Sequence, residues 1–432
     1  MPRVLSPSLA LFFRTISKAV ALAAITLSFA VIATAGPKSA TEIAWTENTL
    51  AGLAADSSGN LFGVVASGFS DGCCGAVFEI SPASGGGWTL TTIYNFLGGS
   101  DGSGPGGLIV DAAGNVYGTT SSGGSTGCGS TGCGTVFELS QGAGGVWTET
   151  QIHVFSDTEP QNGLYSGLPL VMDARGNLYG MTGGGGVGTS CNGAGCGVAF
   201  KLSRISGGGW NETVLYSFPG GARGFVPVGP LTLDAHGNLY GALQRGGRLA
   251  SGCPSWGCGL VFELAKSTHG FQELVVHAFE GPDGYYPNGG LIFDAAGNLY
   301  GTTYSGGGYY QAGVAYKLSP LNGVWKEELV HIFESSQLDG SNPTAGVTFD
   351  KSGNLYGTTA NGSYQLCTDD PQCSQVFKLS PSVDAWKVSA VYAIPLGYYS
   401  LGGLALGSDG NIYGAAWDNH YESGGVAFSV TP

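Results

Sequence analysis

Apolar residues along this chain fall in short runs separated by glycine-rich breaks. One stretch shows the pattern: Gly107-Leu-Ile-Val-Asp111, then Asn115-Val-Tyr-Gly-Thr-Thr120, then Gly134-Thr-Val-Phe-Glu-Leu-Ser140, then Trp147 to Phe155. The runs are rich in β-branched and aromatic residues and bounded by Gly clusters, which is the signature of strands. An Ala-Ala-Gly turn joins the first two runs, a Gly/Ser/Cys loop the next pair and a Gly-rich turn the last. The stretch predicts four strands, a to d.

This unit recurs. The motif Gly-Asn-(Leu/Val/Ile)-(Tyr/Phe)-Gly begins at Gly59, Gly114, Gly176, Gly237, Gly297, Gly353 and Gly410, with spacings of 55 to 62 residues. Three residues earlier stand Asp56, Asp111, Asp173, Asp234, Asp294 and Asp350, and the seventh copy has Gly407 there. In Asp-x-x-Gly-Asn the carboxylate accepts backbone N–H bonds and Gly supplies a positive φ, so these aspartates read as turn formers. Their spacing lacks the alternating oxygen ligands of a calcium loop. Seven such units predict an all-β fold, a seven-bladed β-propeller of four-stranded blades, because stacking around an axis buries faces that one sheet leaves exposed. The last copy, Leu401 to Val430, supplies only strands a, b and c. Ahead of the first strand a, Ala44-Trp45-Thr46-Glu47 matches Trp147-Thr148-Glu149, which opens a strand d. An N-terminal strand is therefore expected to complete the last blade; since Trp45 lies 15 residues before Asn60 whereas Trp147 lies 30 before Asn177, that strand is expected to be short or its connection tight. Eight blades or a β-solenoid are the alternatives.

Composition narrows the classes. Glycine is 78 of 432 residues without a Gly-X-Y register, which excludes collagen. A hydrophobic content of 43% argues against a disordered chain. Acids outnumber bases 30 to 16, which argues against nucleic acid as a partner. Arg3, Arg14 and Lys18 lead into an apolar run, Ala19 to Ala33, and Ala33-Thr34-Ala35 is a small-x-small site. Residues 1–35 read as a cleaved signal peptide and 36–432 as a single seven-repeat domain. The run is short for a membrane span. Cleavage takes the formal charge from -14 to -17. No second apolar run of spanning length follows, so the product is expected to be secreted or extracytoplasmic without a transmembrane anchor.

Ten cysteines fit that compartment. Cys128/Cys133, Cys191/Cys196 and Cys253/Cys258 are five apart, Cys367/Cys373 six apart, and Cys73/Cys74 adjacent. Each pair precedes a strand c, and local disulfides closing five short loops are the simplest reading. Zinc is the rival, but no histidine pair stands at finger spacing.

The string Gly-Gly-Leu-Ile-x-Asp-x-x-Gly-Asn-Leu-Tyr-Gly-Thr-Thr, followed by Gly-Gly, Gly-x-Val-Phe-(Glu/Lys)-Leu-Ser and a later Phe-x-Gly, resembles the GloVer (Gloeo-Verruco) tandem repeat. The resemblance covers nearly all of the chain after the leader. It implies an exported bacterial repeat protein of the choice-of-anchor type and implies no activity. The chain ends at Pro432, right after strand c, so the sorting segment such proteins often carry is not expected here. The Asp-x-x-Gly-Asn-Leu-Tyr turn is also similar to that of NHL-type propellers, an analogy of fold alone.

In a propeller the b–c and d–a loops share one face, and here they are the longer and more varied set. Binding residues favour such loops on a rigid scaffold, and disulfides there lower the ordering cost of binding. The candidates are Tyr285, Tyr286, Tyr309, Tyr310, Tyr398, Tyr399, Trp417, Asp418, His420 and, inside the Cys253–Cys258 loop near Arg245 and Arg248, Trp256. Aromatics beside acids suit a carbohydrate, and Tyr, Trp and Arg equally anchor an extracellular protein partner. The plainer reading is that these tyrosines pack the long loops. His153, His277 and His331 share a strand-d position with Tyr94, Tyr216 and Tyr392, which reads as packing. Asp101, Asp283 and Asp339 recur in d–a loops, which favours turn chemistry over acid catalysis. No catalytic residue, metal or cofactor is assigned. An exported binding or interaction propeller is the leading reading, and an extracellular hydrolase or lyase acting on a polysaccharide is the alternative.

Overall fold

The computed structural model describes residues 40–46, 50–65, 74–125, 127–128, 131–191, 193–334, 339–363, 373–383, 385–394, 398–399, 402–418 and 424–432. They form a seven-bladed β-propeller of antiparallel blades, with three short 3₁₀ turns and no α-helix among the described residues. Blade 1 runs Leu50–Ala55, Leu61–Val65, Ala76–Pro82 and Trp88–Asn95. Blade 2 opens with a split strand a, Ser103–Pro105 and Ile109–Val110, and continues Val116–Ser122, Thr135–Gln141 and Trp147–Val154. Blade 3 is Val171–Met172, Leu178–Met181, Val198–Arg204 and Trp210–Ser217. Blade 4 is Phe225–Leu233, Leu239–Arg245, Leu260–Ser267 and Gly270–Ala278. Blade 5 is Tyr285–Phe293, Leu299–Ser305, Val314–Leu321 and Val324–Ile332. Blade 6 has a split strand a, Ser341–Pro343 and Thr348–Phe349, then Leu355–Asn361, Gln375–Ser380 and Lys387–Ala393. Blade 7 takes Tyr398–Tyr399, Ala405–Leu406, Ile412–Asp418 and Gly425–Val430 from the C-terminus and Ala40–Thr46 from the N-terminus.

The ring closes as expected, but the register differs from the expected match. Trp147 pairs with Gln141 at the opening end of its strand d, whereas Trp45 pairs with Val426 at the far end of its own. The position of His153, opposite Val136, falls to Ala44, opposite Ala427. The physical reason is the connection: only three residues separate Thr46 from Leu50, the first residue of blade 1, fewer than follow any other strand d.

The core lies between blades. Seven clusters of buried side chains each span two neighbours, including one that joins blade 7 to blade 1 through Ile43, Tyr413, Ala427, Leu53 and Phe78. The repeated motif supplies these contacts. Its Tyr or Phe meets the strand-d Trp of the next blade edge to face: Phe62 with Trp147, Tyr117 with Trp210, Tyr300 with Trp386, and across the closure Tyr413 with Trp88. Its last Gly leaves room for the strand-c ring of its own blade. A Cβ on Gly180 would stand 2.5 Å from Phe200 Cζ and 2.8 Å from Leu170 Cδ2.

The Asp-x-x-Gly-Asn turns are built as expected. Asp173 Oδ1 accepts the N–H groups of Arg175 and Asn177 at 2.9 Å, and Oδ2 accepts Asn177 Nδ2–H at 2.7 Å and Tyr179 O–H at 3.1 Å. In the seventh copy Asp409, two residues after Gly407, takes the same role toward Asn411 and Tyr413.

Candidate functional site

Disulfides hold b–c loops at their bases, though those of blades 5 and 7 carry no cysteine. Disulfides join Cys128 to Cys133, Cys191 to Cys196 and Cys253 to Cys258. Cys74 and Cys373 are also disulfide-bonded, while Cys73 and Cys367 lie outside the described residues. The second cysteine of a pair also seals the blade junction. The carbonyls of Cys74, Cys133 and Cys258 accept the N–H groups of Gly104, Tyr165 and Tyr286 in the next blade at 2.8–3.0 Å. Those residues, with Val226 and Asn342 at the equivalent positions, have φ of 57–63°. This left-handed backbone is uncommon outside glycine, and it re-aims each side chain at the start of strand a. The Gly after the cysteine completes the joint: Gly259 has φ +91°, and a Cβ there would stand 2.5 Å from Pro287 Cδ.

Over blades 4 and 5 this geometry gathers several of the expected residues. Trp256, 44% exposed within the Cys253–Cys258 loop, donates its indole N–H to Tyr286 Oη at 2.8 Å. The Arg245 guanidinium lies 5.0 Å from the Trp256 ring centre and 6.0 Å from that of Phe225, its ladder partner. Tyr286 meets Tyr285 edge to face at 4.9 Å, and Tyr285 O–H donates to Gln311 Oε1 at 3.3 Å. Gln311 follows Tyr309 and Tyr310, which are 91% and 65% exposed and in mutual contact at 5.3 Å. Arg248 pairs with Glu280 at 2.7 Å on the same face. The chain of contacts thus runs from one b–c loop across a d–a loop to the next b–c loop.

The remaining candidates stand apart. Tyr398 and Tyr399 form a two-residue strand opposite Asp418 and Trp417 in blade 7. His420 lies outside the described residues, so its expected neighbourhood with Asp418 does not enter the geometry. Phe225 and Gln311 are additions that the sequence did not single out.

A second repeated group lies at the blade rims. His153, His277, His331, Tyr94 and Tyr216 each meet a following Phe edge to face at 4.6–5.4 Å, as packing predicts. Asp101, Asp283 and Asp339 also act as turn formers, accepting the N–H of Leu97, Glu280 and Glu334. Each contacts the ring as well: Tyr94 O–H to Asp101 at 2.6 Å, His277 to Asp283 at 3.0 Å, His331 to Asp339 at 3.3 Å. The next strand d contributes an acid that sequence reasoning missed: Glu149, Glu212, Glu273 or Glu327. Three of these recur as Trp-x-Glu, and that spacing was the available signal. Burial pushes the Glu149, Glu212 and Glu327 carboxyls up to about 7. Burial pushes the His153 imidazole down to about 4. Glu273 instead meets Arg223 at 2.8 Å and Tyr216 at 2.9 Å.

On the opposite face, a cavity of about 170 Å³ lies between the a–b turns of blades 6 and 7, lined by Asp350, Ser352, Asp409 and Asn411. It is small beside ligand pockets of roughly 300–1,000 Å³, and its carboxylates are engaged in their own turns. No helix among the described residues is long and apolar enough to cross a membrane.

A sequence model described as the Gloeobacter/Verrucomicrobia repeat matches residues 47–253 and 249–432. No curated protein matches the sequence significantly. Among solved structures, the extracellular domain of a protein provisionally assigned as a one-component system of B. thetaiotaomicron matches with a TM-score of 0.55 at 9% identity, over 91% of this chain and 40% of that one. This chain therefore spans less than half of that structure, and the likeness is one of fold. A provisionally assigned oxidoreductase (glucose dehydrogenase) from Thermus thermophilus matches at 0.46 and 17% identity, over 78% and 98% of the two chains. A luciferin-regenerating enzyme matches at 0.44 and 15%, over 84% and 97%.

Proposed function

The chain belongs to the Gloeobacter/Verrucomicrobia repeat family, and from that premise we propose that it is an exported interaction propeller that binds carbohydrate on its disulfide-braced face. The observation that carries this reading is the group over blades 4 and 5. Trp256 is clamped at its indole N–H by Tyr286 with the Arg245 guanidinium 5.0 Å from its ring centre, while Tyr309 and Tyr310 stand in solvent on the b–c loop of the next blade. Flat rings cover the C–H faces of a sugar, and a guanidinium with amide and phenol groups meets its hydroxyls. The Cys253–Cys258 disulfide braces the loop that carries Trp256 and keeps that ring ordered before the ligand arrives, which lowers the entropic cost of binding. Residues 1–35 serve as the export signal in this reading, and the disulfides suit an oxidising compartment.

The test is a pull-down of the oxidised protein, without residues 1–35, on a panel of soluble and insoluble polysaccharides. Wild type, Trp256→Ala and the double variant Tyr309→Ala/Tyr310→Ala run side by side, with reducing-sugar release assayed in the same tubes. Binding that weakens at least about tenfold in Trp256→Ala, as expected for loss of an anchoring aromatic, without sugar release, supports the reading. Sugar release by the wild type moves the protein to the hydrolase or lyase class. Retention of full binding by both variants rejects this face.

A further inference from the structure

The rim junctions between blades follow one plan with substitutions, and one junction departs from it chemically. Between blades 3 and 4 the plan is complete within the protein: Tyr216 and the Arg223 guanidinium both reach the buried Glu273 carboxylate. Between blades 1 and 2 the ring is Tyr94, which has no nitrogen to offer. Between blades 5 and 6, His331 meets Asp339, and Val388, opposite Leu379, stands where strands d of blades 2 to 5 carry Glu. Only between blades 4 and 5, among the described residues, do an imidazole and two carboxylates converge: His277, Asp283 and Glu327. Here no lysine or arginine among the described residues pairs with either acid, in contrast to Arg223.

From this geometry we propose that His277, Asp283 and Glu327 form a site for a divalent transition-metal ion that ties blade 4 to blade 5. His277 Nε2 lies 3.0 Å from Asp283 Oδ2 and 3.6 Å from Glu327 Oε1, and all three donor atoms fall within 4.8 Å of one another. Those two separations bracket the roughly 3.4 Å edge of a tetrahedron whose metal–ligand bonds are about 2.0–2.1 Å. Glu327 Oε1 is out of water and accepts no hydrogen bond, so it is free to ligate. Asp283 Oδ1 accepts the Glu280 N–H at 2.8 Å, which fixes the carboxylate and leaves Oδ2 turned toward the imidazole. Such outer-shell bonds hold ligands in place. One imidazole with two carboxylates suits zinc or manganese better than calcium or magnesium, which take oxygen ligands alone. His277 and Asp283 belong to blade 4 and the loop after it, and Glu327 to strand d of blade 5. The ion would therefore bridge two repeats, supplying from solution the positive charge that Arg223 supplies one junction earlier.

The repeat provides variants that fit the fold. His277→Tyr copies Tyr94 and Tyr216, and Glu327→Val copies Val388. His331→Tyr, at the neighbouring junction, is the control. Tag-free, chelator-treated protein would be titrated with Zn²⁺ by equilibrium dialysis and with Co²⁺ by its visible absorption, and thermal unfolding followed with and without Zn²⁺. The expected result is one saturable site whose affinity falls by at least about 100-fold in His277→Tyr and Glu327→Val, since loss of a mere outer-shell partner already costs 10–100-fold. His331→Tyr should bind as wild type does. Zn²⁺ should raise the unfolding temperature of wild type and of His331→Tyr only. Absence of a saturable site in wild type, or equal affinity in wild type and His277→Tyr, overturns the proposal. Carbohydrate binding is read separately, so either reading can fail without the other.

Discussion

Glu212→Gln should stabilise the protein, and only above mildly acidic pH. The Glu212 side chain is 9% exposed, its Oε1 is buried without a hydrogen-bond donor, and Oε2 stands 3.6 Å from His153 Nε2, beyond hydrogen-bond reach. Burial, reinforced by the charge of Glu159, raises its carboxyl from 4.5 to about 7. The unfolded chain releases this proton near pH 4.5 while the folded chain holds it. Stability is therefore fully present below that pH and lost as pH rises through about 7. A shift of this size corresponds to about 3 kcal/mol at pH 8. Gln cannot ionise and should recover most of that difference. In a domain of this size about 1 kcal/mol moves Tm by about 1 °C, so the expected gain is about 3 °C at pH 8 and none at pH 4. His153 runs the other way: burial lowers it to about 4, so its contribution is lost as pH falls from about 6.5 toward 4. The assay is Tm against pH from 4 to 8.5 for both proteins. A lower Tm for the variant at pH 8 would refute the argument, because it would mean that the carboxylate is ionised and well partnered.

Four further outcomes follow from the fold. Asp350→Ala removes a buried carboxylate that accepts two N–H groups at 2.8–2.9 Å and the Asn354 amide at 2.6 Å, and should cost about 3 kcal/mol by thermal or denaturant unfolding. Burial would raise the carboxyls of Asp111, Asp173, Asp294, Asp350 and Asp409, but hydrogen bonds from their Asn partners and turn N–H groups outweigh it and hold them below the usual value. Their contribution is present above about pH 4 and lost below it, so wild type should unfold steeply in acid, read by circular dichroism. Gly180→Ala should cost about 1–3 kcal/mol by overpacking against Phe200 and Leu170, while Gly176→Asn, where φ is +76° and the space is open, should cost under about 1 kcal/mol. Deletion through Thr46 removes the ladder to Gly425–Val430 and the buried Ile43, and should lower stability by at least about 5 kcal/mol.

The fold was legible because its determinants are local and repeated. Each Asp-x-x-Gly-Asn carries its own turn chemistry, and the Tyr and Gly that follow are spaced to meet rings at fixed ladder positions. The seventh copy shows how little that logic needs: Gly407 keeps the backbone bonds of the turn, and Asp409, shifted by two residues, supplies the carboxylate bonds that Gly407 cannot. The N-terminal strand was harder. Similarity around Trp45 suggested one register, but a ladder is set by pairing along Gly425–Val430 and by the length of the connection into blade 1, neither of which a residue match records. The site was legible residue by residue but not as contacts. Trp256 and Tyr286 are 30 positions apart, and they meet because Tyr286 adopts a left-handed backbone while its N–H seals onto Cys258. The rim acids escaped notice because a Glu on an outer strand ordinarily faces water.

Internal repetition also separates scaffold from specialisation. A position filled alike in every blade, such as the strand-c ring over the motif Gly, answers to packing. A position that keeps its geometry while changing its chemistry has been released from packing, and its variants report what the geometry tolerates. The rim junction is such a position: Tyr with Asp and Glu, His with Glu, Tyr with Arg and Glu, His with Asp and Glu, His with Asp. Since Tyr94 and Tyr216 hold the ring contact as well as His277 does, packing gives no reason for an imidazole between blades 4 and 5. Since Arg223 neutralises Glu273 in place, charge gives a reason for a cation wherever two acids meet without one. Both considerations converge on the junction that also borders the Trp256 and Tyr286 face, through the loop Glu280 to Tyr285. A ligand ordered there and an ion held at the rim would act on the same loop. Binding at either place should therefore raise protection of the Glu280–Tyr286 amides against hydrogen exchange, and protection that changes with neither would separate the two.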